Sequence, residues 1–316
     1  AGASNLDSAS ARTLANAITL DDDLTLPGSA DFTLNGIITG GAGNSLIKQG
    51  ASTLTLNGVN TYAGGTTLGG GNLIVGNGSA LGSGALNVSG AAGLDASQAL
   101  NLGNAIALGN TLTLGGSHDL GLTGVLSGSG ALIKNGAGSL TLSGNNSGYS
   151  GNTSLNAGSL VLGNANALGS GTLTVGGPAN LSTSGAMNLG NDVVLNGALT
   201  LNGNNNLGLN GDLSGNAALI KNGSGTLTLG GDNSGYGGTL SVNAGTLQGG
   251  AQNLVDNIVN NALVTIAQTG NGTYAGSISG SGGVTKTGTG TTTLSGSNSF
   301  TGPLSVQAGN LEVSGG

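Results

Sequence analysis

ALIKNGAGSLTLSGNNSGYSGNTSL, residues 131–155, carries the signals that decide the fold. Leu140 and Leu142 alternate with polar residues, the period-2 mark of a strand with one buried face. Gly, Asn and Ser end each such run after a few residues, where turns are expected. The stretch also recurs: SLIKQGASTLTLNGVNTYAGGTTL (45–68), ALIKNGSGTLTLGGDNSGYGGTL (218–240) and GVTKTGTGTTTLSGSNSFTGPL (283–304) repeat it around Lys48, Lys221 and Lys286.

The repeat extends beyond this stretch. LDASQALNLGNAIALGNTLTLGG from Leu94 matches LSTSGAMNLGNDVVLNGALTLNG from Leu181, and LDSASARTLANAITLDDDLTL from Leu6 is a weaker copy. The chain therefore divides into units at 6–93, 94–180, 181–253 and a partial unit at 254–316. Lys48, Lys134, Lys221 and Lys286 lie 86, 87 and 65 residues apart, so the fourth arrives 22 residues early with both flanks in register. A loss of this kind removes one whole structural layer. Four layers of about 22 residues then make a long unit, and the third unit is one layer short.

Each layer holds about three alternating apolar pairs, such as Leu100/Leu102, Ile106/Leu108 and Leu112/Leu114. The expected fold is all-β: a right-handed parallel β-helix, or β-solenoid, with three short strands per coil of about 22 residues and about 14 coils. With strands about 4.8 Å apart along the axis, such a rod is on the order of 70 Å long. Gly, at 68 of 316 residues, would cost a helix about 1 kcal/mol at each interior position and suits corners instead. Disorder is the competing reading of so Gly-rich a chain. Two features oppose it: Leu, Ile, Val and Phe supply about a quarter of the residues, and only 5% are charged.

Composition removes several functions. A net charge of −7 with five scattered basic residues gives nucleic acid and anionic membranes nothing to bind. No apolar run is long enough to span a bilayer as a helix, and no signal peptide opens the sequence. The absence of Cys rules out thiol catalysis, disulfides and Cys-ligated metal, and no cofactor is expected.

Residues 130–160 closely resemble the passenger-associated transport repeat of bacterial autotransporters. Lys134, Gly136, Gly138, Leu140 and Leu142 match its opening, Asn146 with Tyr149 its centre, and Ala157–Leu160 its end. In the first copy Tyr62 follows Asn60 with one residue fewer between them, and in the last Phe300 replaces Tyr. The resemblance implies a secreted passenger at the bacterial surface. Its partner would be an outer-membrane β-barrel translocator borne by the same polypeptide, a series of strands not found in this sequence.

Candidate sites are few. The lysines, if four coils apart on one row, are too distant to share a small ligand and are expected to top their units in solvent. Asn60, Asn146, Asn233 and Asn298, and the rings Tyr62, Tyr149, Tyr236 and Phe300, recur in every unit, which suits turn and core-capping roles better than catalysis. Asp21, Asp22 and Asp23 form the one charge run and a weak Ca²⁺ candidate, since successive strand residues point to opposite faces. His118-Asp119 is the single His beside a carboxylate, but 87 residues later the pair is Asn205-Asn206. Arg12 is the lone guanidinium. These residues support a non-enzymatic stalk or adhesin that attaches cells to a host or abiotic surface, or to one another. The alternatives are an inert scaffold presenting another domain, or a carbohydrate-active β-helix enzyme. Specificity is expected where the units differ: around Asp21–Asp23, around His118 and near Gly249–Asn253.

Overall fold

The computed structural model describes residues 4–315, which form strands and corners with no helix. They wind a parallel β-solenoid of about 16 turns. Contacts divide the chain into two compact units, Ala1–Gly171 and Thr172–Gly316.

In the first unit three strands make one turn, each pairing in parallel with its counterpart in the next. One sheet stacks Leu24–Leu26, Leu46–Lys48, Thr66–Leu68, Leu86–Val88, Ile106–Leu108 and Leu126–Gly128 in that order. A second runs from Arg12–Leu14 through Asn72–Val75 to Thr153–Leu155. The third face begins with Ile18–Leu20 on Ile38–Gly40, and resumes with Leu100–Leu102, Leu120–Leu122, Ser139–Leu142 and Ser159–Leu162. Between Gly40 and Leu100 no strand occupies it. The second unit repeats the plan, with sheets running from Met187–Leu189 to Leu304–Val306 and from Ala179–Thr183 to Ser277–Ser279.

The alternation in sequence becomes alternation of burial. In Leu112–Leu114 both leucines are buried and Thr113 between them faces outward. Leu86, Ile106 and Leu126 sit in register in successive turns and are all buried. Stacking identical positions this way builds a thin continuous core in which each turn depends only on its neighbours.

The prevailing turn is 20 residues, slightly shorter than the 22 expected, and the count of about sixteen turns is close to the expected fourteen. Other lengths occur where corners grow or shrink. Leu24 pairs with Leu46, 22 residues on, while Thr246 pairs with Leu263, only 17 on. The shortest turn thus contains Gly249–Asn253. There the Ala251 N–H donates to Gln268 Oε1 at 2.8 Å, and Asn253 Nδ2 donates to the carbonyls of Gly230 and Gly231, each at 3.0 Å.

A 20-residue turn changes what an 86-residue repeat means. Lys48 lies in register with Leu68, Val88, Leu108 and Gly128 in succession, and Lys134 comes six residues later, on the next sheet. The repeat is four and a third turns, so a copy begins one face further round than the one before. In the second unit Lys221 is followed in its column by Val242 and Asn260. Lys286 again falls on the neighbouring sheet, after three and a third turns.

Because a turn is the unit of register, deleting residues 106–125 should leave Leu126 stacked on Leu86 and preserve a β-type circular dichroism spectrum with cooperative unfolding. Deleting half a turn, 106–115, should abolish cooperativity, since a strand face is lost from one layer.

Candidate functional site

The repeated Lys, Asn and Tyr side chains turn toward the solenoid interior and bond there mostly to backbone groups of their own and neighbouring turns. Lys48, Lys134, Lys221 and Lys286 are buried, with no more than 4% of any side chain exposed. This overturns the expectation that they stay in solvent. The reason is strand alternation: Lys48 is the second inward position of Leu46–Lys48, stacked between Leu26 and Leu68. Its four methylenes continue the leucine column, and the ammonium reaches the corner where the strand ends.

There it finds carbonyls. Lys48 Nζ donates to Gln49 O at 2.6 Å, to Gly50 O at 3.0 Å and to Gly70 O, one turn on, at 3.3 Å. Lys134 Nζ donates to Gly136 O and, across the turn, to Ala157 O at 3.4 Å. Lys221 uses Gly223 O and Ala244 O, and Lys286 uses Thr287 O, Gly288 O and Ala308 O. Burial pulls the ammonium groups of Lys48, Lys134 and Lys221 below the usual lysine range. Around Lys48 the charge of Asp31 opposes that shift, and around Lys134 those of Asp119 and Asp95 do so.

The Ala-Gly pair that ends the last three copies, Gly70-Gly71 in the first, completes the corner. Ala157 and Ala244 present the accepting carbonyls, and Gly158 and Gly245 follow at φ of +73° and +69°. A Cβ on Gly158 would lie 2.6 Å from the carbonyl oxygens of Gly136 and Gly138, so only glycine fits this approach.

Asn60, Asn146 and Asn233 bind three successive turns together. Asn146 Oδ1 accepts the Leu126 N–H of the turn before at 2.7 Å, and Nδ2 donates to Ala167 O of the turn after at 2.7 Å. Asn60 joins Ile38 N to Ala80 O at 2.8 and 2.6 Å, across the stretch where the third face lacks a strand. Asn233 joins Leu213 N to Asn253 O at 2.8 and 2.5 Å. Asn298 accepts the Ile278 N–H at 3.0 Å but donates to Gly296 O in its own turn.

The neighbouring tyrosines fill the core beneath. Tyr62, Tyr149 and Tyr236 are buried and Phe300 is half-buried. Tyr62 shares a hydrogen bond with Thr66 Oγ1 at 2.6 Å, while Tyr149 and Tyr236 donate to Asn152 O and Ala217 O at 2.9 and 2.8 Å. A further buried ring, Tyr274, escaped the sequence reading because it lies outside the repeated stretch; its hydroxyl donates to Val255 O at 2.8 Å.

The other candidates serve corners. His118 Nδ1 lies 3.0 Å from Ala96 O, and Asp119 Oδ1 accepts the Ser139 N–H at 2.7 Å. Asn205 and Asn206 make the same two bonds, to Thr183 O and from Thr226 N, at 2.7 and 2.9 Å. Histidine and amide are interchangeable here, which assigns the pair to inter-turn bonding. Asp21, Asp22 and Asp23 do not converge. Asp21 is exposed, Asp22 Oδ1 accepts the Asp23 N–H, and Asp23 Oδ1 accepts from Ser45 N and Oγ at 2.8 and 2.6 Å. The Ser45 bonds hold the Asp23 carboxyl below the usual range. Among the described residues no three His, Cys, Asp or Glu side chains gather as a metal site would need. Arg12 projects outward, its guanidinium on Ala11 O at 3.4 Å.

Two outcomes follow. Asn146→Ala strands a buried N–H and a buried carbonyl, each worth about 1–3 kcal/mol. It should destabilise the protein in urea titration and speed exchange of the Leu126 amide, while the exposed Asn166→Ala stays within about 0.5 kcal/mol of the parent. Burial also raises the Tyr62, Tyr149 and Tyr236 hydroxyls to about 12. A phenol raised on folding stabilises fully below its unfolded value near 10 and ceases to do so as pH climbs through the folded value. Stability should therefore hold to about pH 10 and fall between about 10 and 12, with phenolate absorbance rising together with loss of β signal.

No curated protein and no solved structure matches the chain. The passenger-associated-transport-repeat family matches four segments, 46–75, 132–162, 219–248 and 284–313. Each spans the buried Lys, the Asn and ring positions and the Ala-Gly or Gly-Gly corner of one copy. The chain is a β-solenoid built around four passenger-associated-transport repeats, as an autotransporter passenger segment is.

Proposed function

We propose that this segment works outside the bacterial cell as a non-enzymatic stalk with an adhesive surface, attaching cells to a substratum or to each other after export through its β-barrel translocator. The observation that carries this reading is the division of labour among polar side chains. Those that recur are turned inward and spent on inter-turn bonds, which leaves the outer surface to uncharged amides and hydroxyls in rows.

In the second unit Asn180, Asn202, Asn222, Asn243 and Asn261 form one such row, each amide after the first donating to the one before it at 2.8 to 3.5 Å. Individually weak contacts repeated at the turn spacing add through multivalency, and the low charge leaves little repulsion between like surfaces. A bare scaffold carrying another domain is the second reading, favoured by the same inward use of the repeat residues. A carbohydrate-active enzyme would need convergent carboxylates, whereas Asp22, Asp23 and Asp119 each accept backbone N–H bonds at corners and Asp21 stands exposed.

The test is display on cells of an otherwise identical passenger with and without residues 4–315. Faster settling or attachment with the segment is expected. Equal behaviour of the two strains would leave the scaffold reading in its place.

A further inference from the structure

On the outer face of the first unit lies a groove of about 570 Å³, in the size range of small-ligand sites. It crosses the strands Thr53–Leu56, Asn72–Val75, Ala92–Ala96 and Leu112–Leu114. Thr53, Asn72, Gly93 and Thr113 form one outward column in register, and Ile74 stands beside Asp95 in the next. We infer that this groove is a binding site for an extended, uncharged polysaccharide chain lying along the solenoid axis.

The first argument is that the polar groups are unspent. The Thr53 and Thr113 hydroxyls and the Asn72 amide make no hydrogen bond within the protein, and of the Asp95 carboxylate only Oδ1 is used, accepting the Ala96 N–H at 2.7 Å. Other outward amides of this unit are tied up, as Asn57 is to Asn35 and Asn156 to Asn135, though Asn16, Asn87 and Asn101 are as free as Asn72.

The second argument is that the repeat fills the corresponding place in its next copy. The residues 87 positions after Gly93 and Gly115 are Asn180 and Asn202, which bond to each other at 3.0 Å and begin the asparagine row. Where one copy has a closed ladder, the other has two glycines and a depression. The groove is a departure from the repeat, so the repeat's structural needs do not explain it.

The lining sets the ligand class. Thr and Asn both donate and accept, as sugar hydroxyls do, and Ile74 and Ala91 offer an apolar patch to the C–H face of a ring. One carboxylate and no Lys or Arg among the lining residues disfavour sulfated or uronic acid chains. Strands about 4.8 Å apart repeat the polar groups at close to the length of one ring in an extended β-1,4-linked chain, so successive sugars meet successive turns. Individual affinity is expected near about millimolar, with strength gained by multivalent display.

This proposal rests on the adhesive reading, and the test separates the two. The full chain is titrated with β-1,4-linked glucose and N-acetylglucosamine hexasaccharides, and with a heparin hexasaccharide, by calorimetry and by NMR of the Thr113 and Asn72 signals. Saturable binding of a neutral hexasaccharide is expected, with none of heparin. The double variant Gly93→Asn/Gly115→Asn installs the residues of the next copy. A Cβ at 115 meets nothing within 4 Å, and one at 93 meets only the mobile end of Asn72 at 2.2 Å. It should keep the parent's thermal midpoint and bind at least tenfold more weakly; should it misfold, Thr113→Val serves as the second variant with the same expected loss. Absence of saturable neutral-sugar binding, preference for heparin, or equal binding by folded variants would overturn the groove. If cells displaying the double variant attach as the parent does, the adhesive reading survives without it. If residues 4–315 prove dispensable for attachment while sugar binding persists, the groove survives and the adhesive reading does not.

Discussion

Every peptide group in a solenoid turn looks along the axis for its partner, so a turn that lacks a strand leaves N–H and C=O groups that must be answered by something else. The third face of the first unit meets this problem between Gly40 and Leu100. Asn60 answers it by acting as a surrogate peptide: its amide accepts from Ile38 below and donates to Ala80 above. The same geometry at Asn146 and Asn233 shows why an amide recurs at this point, since a carboxylate could not donate and a hydroxyl could not span three turns.

The buried lysines solve the matching problem at the corners. A corner gathers two or three carbonyls that no strand can reach, and a single ammonium has three donors. Burying a charge is costly, and the depressed Lys48, Lys134 and Lys221 values record that cost. Carbonyls of two adjacent turns offset it, so each lysine links layers as well as closing its own corner. The Ala-Gly end of the repeat belongs to the same device, because Gly158 and Gly245 bring the next turn's chain close enough to share the cation.

Much of this was legible in the sequence, and some of it was misread for identifiable reasons. Period-2 leucines and the in-register gap before Leu254 led to strands, layers and a solenoid. Period 2 also places Lys48 on the same face as Leu46, hence inside; expecting charge to seek water hid that. The turn length was harder, because 86 residues divide into four turns of 22 about as well as into four and a third of 20. Only the strand register, with Gly128 beneath the column of Lys48 and Lys134 one face on, separates them. Asn205 and Asn206 had already marked His118 and Asp119 as replaceable, and their identical hydrogen bonds supply the cause.

A repeat of four and a third turns has a consequence for surfaces. Had the unit closed on whole turns, each copy would present the same residues on the same side and build one uniform stripe. Advancing by a face instead places the Lys-Asn-Tyr assembly of successive copies on different sides within each unit, so reinforcement is shared around the circumference. Any extended outer surface is then composed of residues from different parts of the repeat. The asparagine row and the glycine-lined groove are both products of that arrangement: Asn180 and Asn202 are the positional counterparts of Gly93 and Gly115, yet one pair closes a ladder and the other opens a depression. The outward positions that the inter-turn bonds leave free are therefore those where substitution alters the surface without disturbing the stack.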